Sequence, residues 1–296
     1  WVNSAEDSAP LIDSIIALRE EFAAKGVTRF VLCGMGGSSL APEVITRTAG
    51  VELVVLDSTD ADQVGDALAS DLAKTAIVVS SKSGSTVETD SQKRVFEKAF
   101  TDAGIDKTDR VVIVTDPGSP MEAAAKADGY RIFNADPNVG GRYSALTAFG
   151  IVPSGLAGVD IAALLAEARE VAPLLASDSE ENPALVLGAA LAKTYGEYGY
   201  RDKVGIVTDG TPIVGFGDWA EQLIAESTGK LGKGVLPVVL NLNSPEADGS
   251  LQDLVLAEVV AEASTDGVAE VSVSGPLGAQ FLLWEYATVV ASRLIG

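Results

Sequence analysis

Short apolar runs alternate with amphipathic stretches along the first half of the chain. Residues 10–25 carry Leu11, Ile15, Leu18 and Phe22 at helical spacing, which predicts an opening helix. Strands are predicted at residues 27–33, 51–56, 75–79, 110–114 and 130–133, with helices between them at 60–72 and 87–103. Strands that alternate with helices are typical of a parallel sheet, so the pattern predicts an α/β fold with a doubly wound sheet.

The same rhythm recurs in the second half. Residues 150–155, which are marked by Gly and Pro, are interpreted as the start of a second domain, so the predicted domains are 1–150 and 151–296. Further helices are predicted at residues 160–171, 183–195, 218–227, 251–263 and 280–296, and further strands at 203–208, 235–240 and 269–273. Two doubly wound parallel-sheet domains of the α/β class are therefore expected.

Charge restricts the partners of this chain. It has 296 residues, 47% of them hydrophobic, and a formal net charge of −21, as expected for an acidic globular protein. Such a surface repels nucleic acid and anionic membranes, so neither is an expected partner. An anionic substrate needs a local basic pocket, for which Lys82 and Arg142 are candidates. No apolar run approaches the ~18–20 residues of a membrane span.

The single cysteine, Cys33, excludes an intramolecular disulfide. A chain without disulfides suits a reducing compartment, so a cytoplasmic location is expected. Because Cys33 ends an apolar strand, we expect its thiol to be buried and unreactive.

Ligands of doubly wound sheets bind beyond the carboxyl ends of the strands, which gives weight to residues 34–39, 57–59, 80–86 and 116–119. Residues 80–89 (SSKSGSTVET) are the most informative of these, because hydroxyls and a lysine crowd a turn before a predicted helix. Side-chain donors, free backbone N–H groups and the helix dipole could converge there on a phosphate. The alternative is a capping box formed by Ser85 and Glu88.

The glycine-rich segment at residues 34–39 (GMGGSS) follows the first strand and favours close approach of a ligand to the backbone. A dinucleotide site is the alternative, with Asp57 as the ribose-binding acid, but Ser39 stands where the third glycine of that fingerprint belongs. Residues 139–144 (VGGRYS) place Arg142 beside two glycines. Its guanidinium either faces a reacting oxyanion or lies on the surface.

Residues 218–230 (DWAEQLIAESTGK) predict a helix with an Asp218/Glu221 capping box and a stop at Gly229. Gln222 and Glu226 share one face of this helix, so the amide can position the carboxylate or a bound hydroxyl. The alternative pairs Glu226 with Lys230 in an ordinary helix salt bridge.

Together, four segments in this order resemble the signatures of phosphoglucose isomerases: residues 34–39, 81–89, 139–144 and 222–230. Residues 227–234 (STGKLGKG) and 275–281 (GPLGAQF) look most like the isomerase half of bacterial bifunctional transaldolase/phosphoglucose isomerases. The chain starts at Trp1 and stops in a helical pattern, so we expect a fragment of a longer polypeptide, with a transaldolase domain upstream.

The resemblance implies two flavodoxin-like sugar isomerase (SIS) domains that interconvert glucose 6-phosphate and fructose 6-phosphate without metal or organic cofactor. A homodimer is a candidate assembly, and the sequence leaves the oligomeric state open. It implies that Glu226 is the base between C2 and C1, that Arg142 stabilises a cis-enediolate and that Gln222 orients the sugar. The remaining implied contacts are to phosphate, from Ser81, Lys82, Ser83, Ser85 and Thr86, and to sugar, from Gly36, Gly37 and Ser38.

Two departures from the family pattern concern activity. The family uses a histidine in ring opening and a lysine near its C-terminus, whereas this chain contains no histidine and stops before the usual terminal lysine segment. Ring opening is therefore expected from another group or from a part outside this chain. A non-catalytic module that binds sugar phosphates is the alternative function, although such a module has no need for Glu226 and Arg142.

Overall fold

The chain folds into two compact units, Asn3–Ala163 and Leu164–Gly296. The computed structural model describes residues 1–69, 71–193, 201–264 and 268–296. The division lies after Ala163, whereas the sequence pattern placed it at residue 150. Residues 150–155 lie inside the buried helix Ala148–Ala157. Their small residues serve close packing, since a Cβ on Gly155 would lie 2.7 Å from Cγ2 of Ile15.

Unit 1 is built around a five-stranded parallel sheet with the strand order β2-β1-β3-β4-β5. The strands are β1 (Arg29–Gly34), β2 (Val54–Leu56), β3 (Thr75–Ser80), β4 (Val111–Thr115) and β5 (Arg131–Asn134). The helices are α1 (Ser4–Ser8), α2 (Ile12–Ala24), α3 (Leu40–Ala49), α4 (Ala61–Ala69), α5 (Val87–Asp102), α6 (Pro120–Asp128) and α7 (Ala148–Ala157). This strand order is that of flavodoxin-like folds, so the predicted doubly wound sheet is confirmed.

The core of unit 1 forms because its central strands are apolar on both faces. Every residue of β3 is buried, and Phe96 and Phe100 of α5 pack with Ile77 and other side chains of the sheet. Such continuous apolar strands are typical of parallel sheets covered by helices on both sides. Cys33 is fully buried in this core, as predicted, and burial raises the pKa of its thiol to about 12.

Unit 2 has a second parallel sheet, with the strand order β7-β6-β8-β9. Its strands are β6 (Lys203–Asp209), β7 (Leu236–Leu240), β8 (Leu254–Val260) and β9 (Val271–Ser274). Its helices are α8 (Ile161–Leu175), which starts just before the unit boundary, α9 (Pro183–Leu191), α10 (Phe216–Thr228) and α11 (Leu277–Ile295). The two predicted parallel-sheet domains are thus present. Residues 194 and 195 of the helix predicted at 183–195 lie outside the described residues.

The helix predicted at residues 251–263 is wrong, because β8 occupies Leu254–Val260. This strand lies between β6 and β9, and most of its residues are buried. A short run in which Glu258 is the one polar residue has no clear period that separates strand from helix, and its β-branched valines favour the strand. Across the described residues, no helix combines the length and the apolar character that a membrane crossing requires.

One carboxylate ties together three parts of unit 1 near the end of β4. Glu122 accepts hydrogen bonds from the Gly118 N–H (2.7 Å), the Asn134 side-chain amide (3.0 Å) and the Lys126 ammonium (2.7 Å). The bond from Lys126, followed by those from Gly118 and Asn134, lowers the pKa of Glu122 to about 2. The ionised carboxylate therefore holds the turn before α6 against β5.

We expect Glu122→Gln to lower the free energy of unfolding at neutral pH. Because the folded-state pKa is depressed, the charge contributes stability above the unfolded value of 4.5 and loses it as the pH falls from about 4.5 to about 2. Urea unfolding should therefore show a gap between wild type and variant that narrows below about pH 4.5. Glu20→Gln, at an exposed position of α2, is the control. A gap that stays constant with pH would contradict this account.

Candidate active site

The hydroxyl-rich loop leaves the end of β3 and enters α5, as the sequence predicts. Ser81 Oγ accepts a hydrogen bond from the Gly84 N–H (3.2 Å) and shares a second one with Thr86 Oγ1 (3.1 Å). Ser83 Oγ accepts from the Ser85 N–H (3.2 Å) and lies 2.9 Å from Ser85 Oγ. The loop is thus folded around its own hydroxyls at the N-terminus of α5, where the helix dipole favours an anion.

The alternative interpretation of this loop, a capping box formed by Ser85 and Glu88, is wrong. Thr86 is the N-cap residue of α5, and no side chain caps this helix end. Ser85 lies one position earlier, and its hydroxyl pairs with Ser83 instead. The density of hydroxyls in this loop therefore has no explanation as a helix cap.

Gly84 allows the loop to pack against α6. Its φ of +67° is left-handed, and a Cβ there would lie 2.7 Å from Cβ of Met121 and 2.9 Å from the Met121 nitrogen. A side chain at this position would displace the loop, because the backbone of α6 cannot yield as a flexible side chain can.

The glycine-rich segment after β1 packs on the turn that carries Arg142. A Cβ on Gly37 would lie 2.5 Å from the carbonyl carbon and oxygen of Gly141. Ser144 Oγ donates to the Gly141 carbonyl (2.6 Å) and to the Gly37 carbonyl (3.3 Å), and so fastens the two segments together. The close approach that Gly37 permits is therefore used by this chain's own backbone, which weakens the dinucleotide interpretation.

A cleft of about 380 Å³ lies at the carboxyl ends of β1, β3 and β4. It is lined by Met35, Gly37, Ser38, Ser80, Ser81, Lys82, Ser83, Thr86, Asp116 and Gly141. Six of the predicted site residues are thus brought together. Gly36 starts the turn Gly36–Ser38 beside the cleft, and Ser85 lines a neighbouring cleft of about 350 Å³ between α5 and α6.

Four lining residues have no individual role in the sequence analysis, although three of them lie in segments to which it gave weight (34–39, 80–86 and 116–119): Met35, Ser80, Asp116 and Gly141. A signal for Asp116 exists, because it directly follows a strand whose carboxyl end meets that of β3 in the same sheet. Ser80 is the last residue of β3 and is fully buried. Its place in the hydroxyl-rich segment 80–89 is the signal in the sequence, since burial along β3 does not distinguish its last residue from the others.

Lys82 does not stand in the cleft as an isolated cation. Its Nζ lies 2.5 Å from Oδ2 of Asp116 and donates to the Pro137 carbonyl oxygen at 3.1 Å. The predicted basic group is therefore paired with a carboxylate. The other donors of the cleft are hydroxyls and backbone N–H groups, which carry no formal charge.

Arg142 lies in the turn Gly141–Tyr143, which packs on the glycine-rich segment. Its guanidinium carbon is 5.4 Å from the centroid of the Tyr143 ring, within cation–π distance. The Tyr143 ring in turn lies 5.1 Å from the Trp1 ring, centroid to centroid. Two aromatic rings thus support this turn.

In unit 2, α10 carries Gln222 and Glu226. The Asp218/Glu221 capping box is wrong, because the helix begins at Phe216 after Gly215, and Asp218 lies inside the first turn. The helix ends before Gly229, as predicted.

The i,i+4 contact that the sequence allows on α10 is present. Gln222 Nε2 lies 3.5 Å from Oε2 of Glu226, whose side chain is exposed. Among the described residues, Gln222 Oε1 is buried and lacks a hydrogen-bond partner. Lys230 donates to the main-chain carbonyl of Glu226 at 2.8 Å.

The site residues sit on well-packed elements. Phe216 and Trp219 of α10 pack with Phe281 and Trp284 of α11, with ring centroids 4.7–6.0 Å apart.

Within residues 1–69, 71–193, 201–264 and 268–296, no group of three or more Cys, Asp or Glu side chains could hold a metal ion.

Known proteins match most of this chain. The family model of phosphoglucose isomerase matches residues 13–235. A probable glucose-6-phosphate isomerase of Haloarcula marismortui is 36% identical over 211 residues, covering 70% of this chain and 48% of that protein. A glucose-6-phosphate isomerase of Synechococcus sp. (strain JA-3-3Ab) is 33% identical over 213 residues, covering 69% of this chain and 40% of that protein.

Solved structures share the fold. A hypothetical protein from Thermus thermophilus superimposes with a TM-score of 0.83 at 25% identity, covering 100% of this chain and 84% of that one. A glucose-6-phosphate isomerase from Chlamydia trachomatis gives a TM-score of 0.75 at 18% identity, covering 96% and 69%. The chain spans about half the length of the curated relatives it matches. It belongs to the phosphoglucose isomerase family.

Proposed function

We propose that this chain takes part in the interconversion of glucose 6-phosphate and fructose 6-phosphate through a cis-enediolate. The observation that carries the proposal is the hydroxyl-lined cleft of unit 1 at the carboxyl ends of three strands, in a chain of this family. A phosphate ester suits such a cleft, because hydroxyls, backbone N–H groups and the start of α5 all favour an anion.

Binding of the phosphate is proposed for the loop between β3 and α5. Ser81, Ser83, Ser85 and Thr86 now bond to one another or to loop N–H groups, and their hydroxyl hydrogens can rotate toward a ligand oxygen. Lys82 is held in place by its ion pair with Asp116, and it adds a further N–H donor for the phosphate. Gly36, Gly37 and Ser38 are proposed to contact the sugar.

Proton transfer is proposed for Glu226. Isomerisation moves a proton between C2 and C1, which requires a base that takes the proton from one carbon and returns it to the other. Gln222 lies one turn away on the same helix face and would orient the carboxylate or a sugar hydroxyl. Arg142 would stabilise the negative charge on the enediolate oxygen with its fixed positive charge.

The proposal extends to location and assembly. A chain with one buried cysteine suits the cytoplasm, and the resemblance in the sequence favours fusion to an upstream transaldolase and pairing of two copies. Light scattering on the purified polypeptide gives its mass, and hence the number of copies.

We expect Glu226→Gln to lower kcat at least about a hundredfold in the intact polypeptide, because the amide keeps the shape and removes the basicity. Affinity for sugar phosphate should change little. In heavy water, the wild type should introduce deuterium at C1 or C2 of the hexose phosphate, and the variant should not.

Arg142→Lys should also lower kcat, because a point charge does not replace the planar guanidinium.

Glu221→Gln is the matched control on the same helix, and it should exchange like the wild type. Undiminished exchange by Glu226→Gln would remove Glu226 as the base. Exchange absent from the wild type itself, with normal phosphate binding, would favour the non-catalytic sugar-phosphate-binding module instead.

We expect the double variant Ser83→Ala/Ser85→Ala to raise KM and the dissociation constant for inorganic phosphate at least about tenfold, because donors to a charged group are lost. The change in kcat should be smaller. Calorimetric titration with inorganic phosphate measures the binding directly. Ser91→Ala, exposed on α5, is the control. An unchanged phosphate affinity in the double variant would contradict the assignment of this loop.

A further inference from the structure

Asp116 gives the cleft of unit 1 an unusual charge balance for a site that takes an anion. Of the described residues that line it, Lys82 and Asp116 are the charged ones, and their side chains face each other at 2.5 Å. The formal charges of the lining therefore sum to zero. Since the whole chain carries a net charge of −21, no surplus of positive charge around the cleft is expected from composition.

The lysine is held in place from two sides. One of its three N–H donors points to Asp116 and a second to the Pro137 carbonyl at 3.1 Å, which leaves one for a ligand. The Asp116 N–H also approaches the Lys82 carbonyl at 3.4 Å, and Thr115 Oγ1 donates to the Ser81 carbonyl at 2.7 Å. The ends of β3 and β4 are thus locked together at the cleft.

Two buried oxygens of the cleft residues lack hydrogen-bond partners in the part of the chain that the structure describes. They are Ser80 Oγ and Asp116 Oδ1. Ser80 is fully buried, and the Asp116 side chain is 15% exposed. Buried polar atoms normally have partners, and leaving one without a partner is costly. An ionised carboxylate can only accept hydrogen bonds, so its missing partner must be a donor.

We propose that Asp116 is a specificity-determining residue of this cleft, which selects an anion that brings its own hydrogen-bond donor. The ligand class is a phosphate ester that carries a hydroxyl. This inference rests on the proposed phosphate site, and it adds a criterion that the hydroxyl loop alone does not supply. An anion without a donor meets Oδ1 of Asp116 as a second acceptor of like charge, with no hydrogen between them. A hydroxyl of the ligand converts the same contact into a charge-assisted hydrogen bond.

Calorimetric titration of the full chain near pH 8 tests the proposal with three probes: glucose 6-phosphate, methyl phosphate and sulfate. At this pH methyl phosphate carries no donor, because the second pKa of a phosphate ester is about 6. Sulfate is likewise fully ionised and carries no donor. Wild type should bind glucose 6-phosphate at least about tenfold more tightly than either of the other two probes. In Asp116→Asn that ratio should shrink severalfold, because the amide removes the repulsion and adds a donor, so that sulfate binds more tightly.

Asp66→Asn is the matched control, since it makes the same change of net charge at an exposed position of α4. Its ratio should equal that of the wild type. Thermal unfolding checks that Asp116→Asn is folded, and Asp116→Ser repeats the test with a smaller uncharged side chain. Equal weakening of all three probes in the Asp116 variants would overturn the proposal and leave Asp116 as a support for Lys82. Absence of any anion binding by the wild type would overturn the phosphate site itself, and this inference with it.

The source of the donor is distinguished by repeating the titrations near pH 5.5, where methyl phosphate gains a P–OH group. Tighter methyl phosphate binding at that pH in the wild type, but not in Asp116→Asn, assigns the donor to the phosphate. Weak methyl phosphate binding at both pH values, with the preference for glucose 6-phosphate lost only in the Asp116 variants, assigns it to a sugar hydroxyl. Both results support the proposal. A preference that survives unchanged in both Asp116 variants overturns it.

Discussion

The geometry of unit 1 depends on burial of β3 on both faces. Every position of this strand is buried, and it pairs with β1 on one side and β4 on the other. Because its ladder partners fix the strand, the polar loop that follows must leave at the carboxyl edge of the sheet. The loops after β1 and β4 leave at the same edge, since all three strands are parallel. The cleft lies at this edge, where the three loops leave the sheet.

The contacts between these loops and the neighbouring segments of unit 1 are made by backbone atoms and short side chains. Gly37 lies against the Gly141 backbone, Gly84 against the backbone of α6, and Ser144 bonds to the carbonyls of Gly37 and Gly141. Short groups have few rotamers, so little entropy is lost when a ligand orders them further. Glu122 also holds the turn before α6 in place, because it accepts hydrogen bonds from the Gly118 N–H and the Asn134 side chain. The result is a set of donors held by the scaffold, which is the arrangement that selective binding needs.

Much of the fold follows from the sequence. The strands of unit 1 were predictable because each is an apolar run bounded by turn residues and separated from the next by an amphipathic stretch. The error at β8 has a physical reason, since most of Leu254–Val260 is buried and its sequence carries no clear alternation to distinguish strand from helix. The boundary predicted at residue 150 differs from the division after Ala163 for a related reason. Gly150 and Gly155 signal close packing as readily as a turn, and here the helix packs tightly on Ala145 and Ile15.

The site was less predictable than the fold, because side-chain partners depend on contacts between distant segments. The hydroxyls of residues 81–86 could be located from their order alone, but the pairing of Lys82 with Asp116 joins positions 34 residues apart. In the sequence, Lys82 counts as a positive charge, whereas in the cleft it forms an ion pair with Asp116. In a chain of net charge −21, this distinction decides how an anion is held. Attraction at long range cannot come from the protein as a whole, so affinity must come from directed hydrogen bonds at short range. Such bonds recognise the donors and acceptors of a ligand as well as its charge, and a carboxylate placed among them makes the recognition stricter.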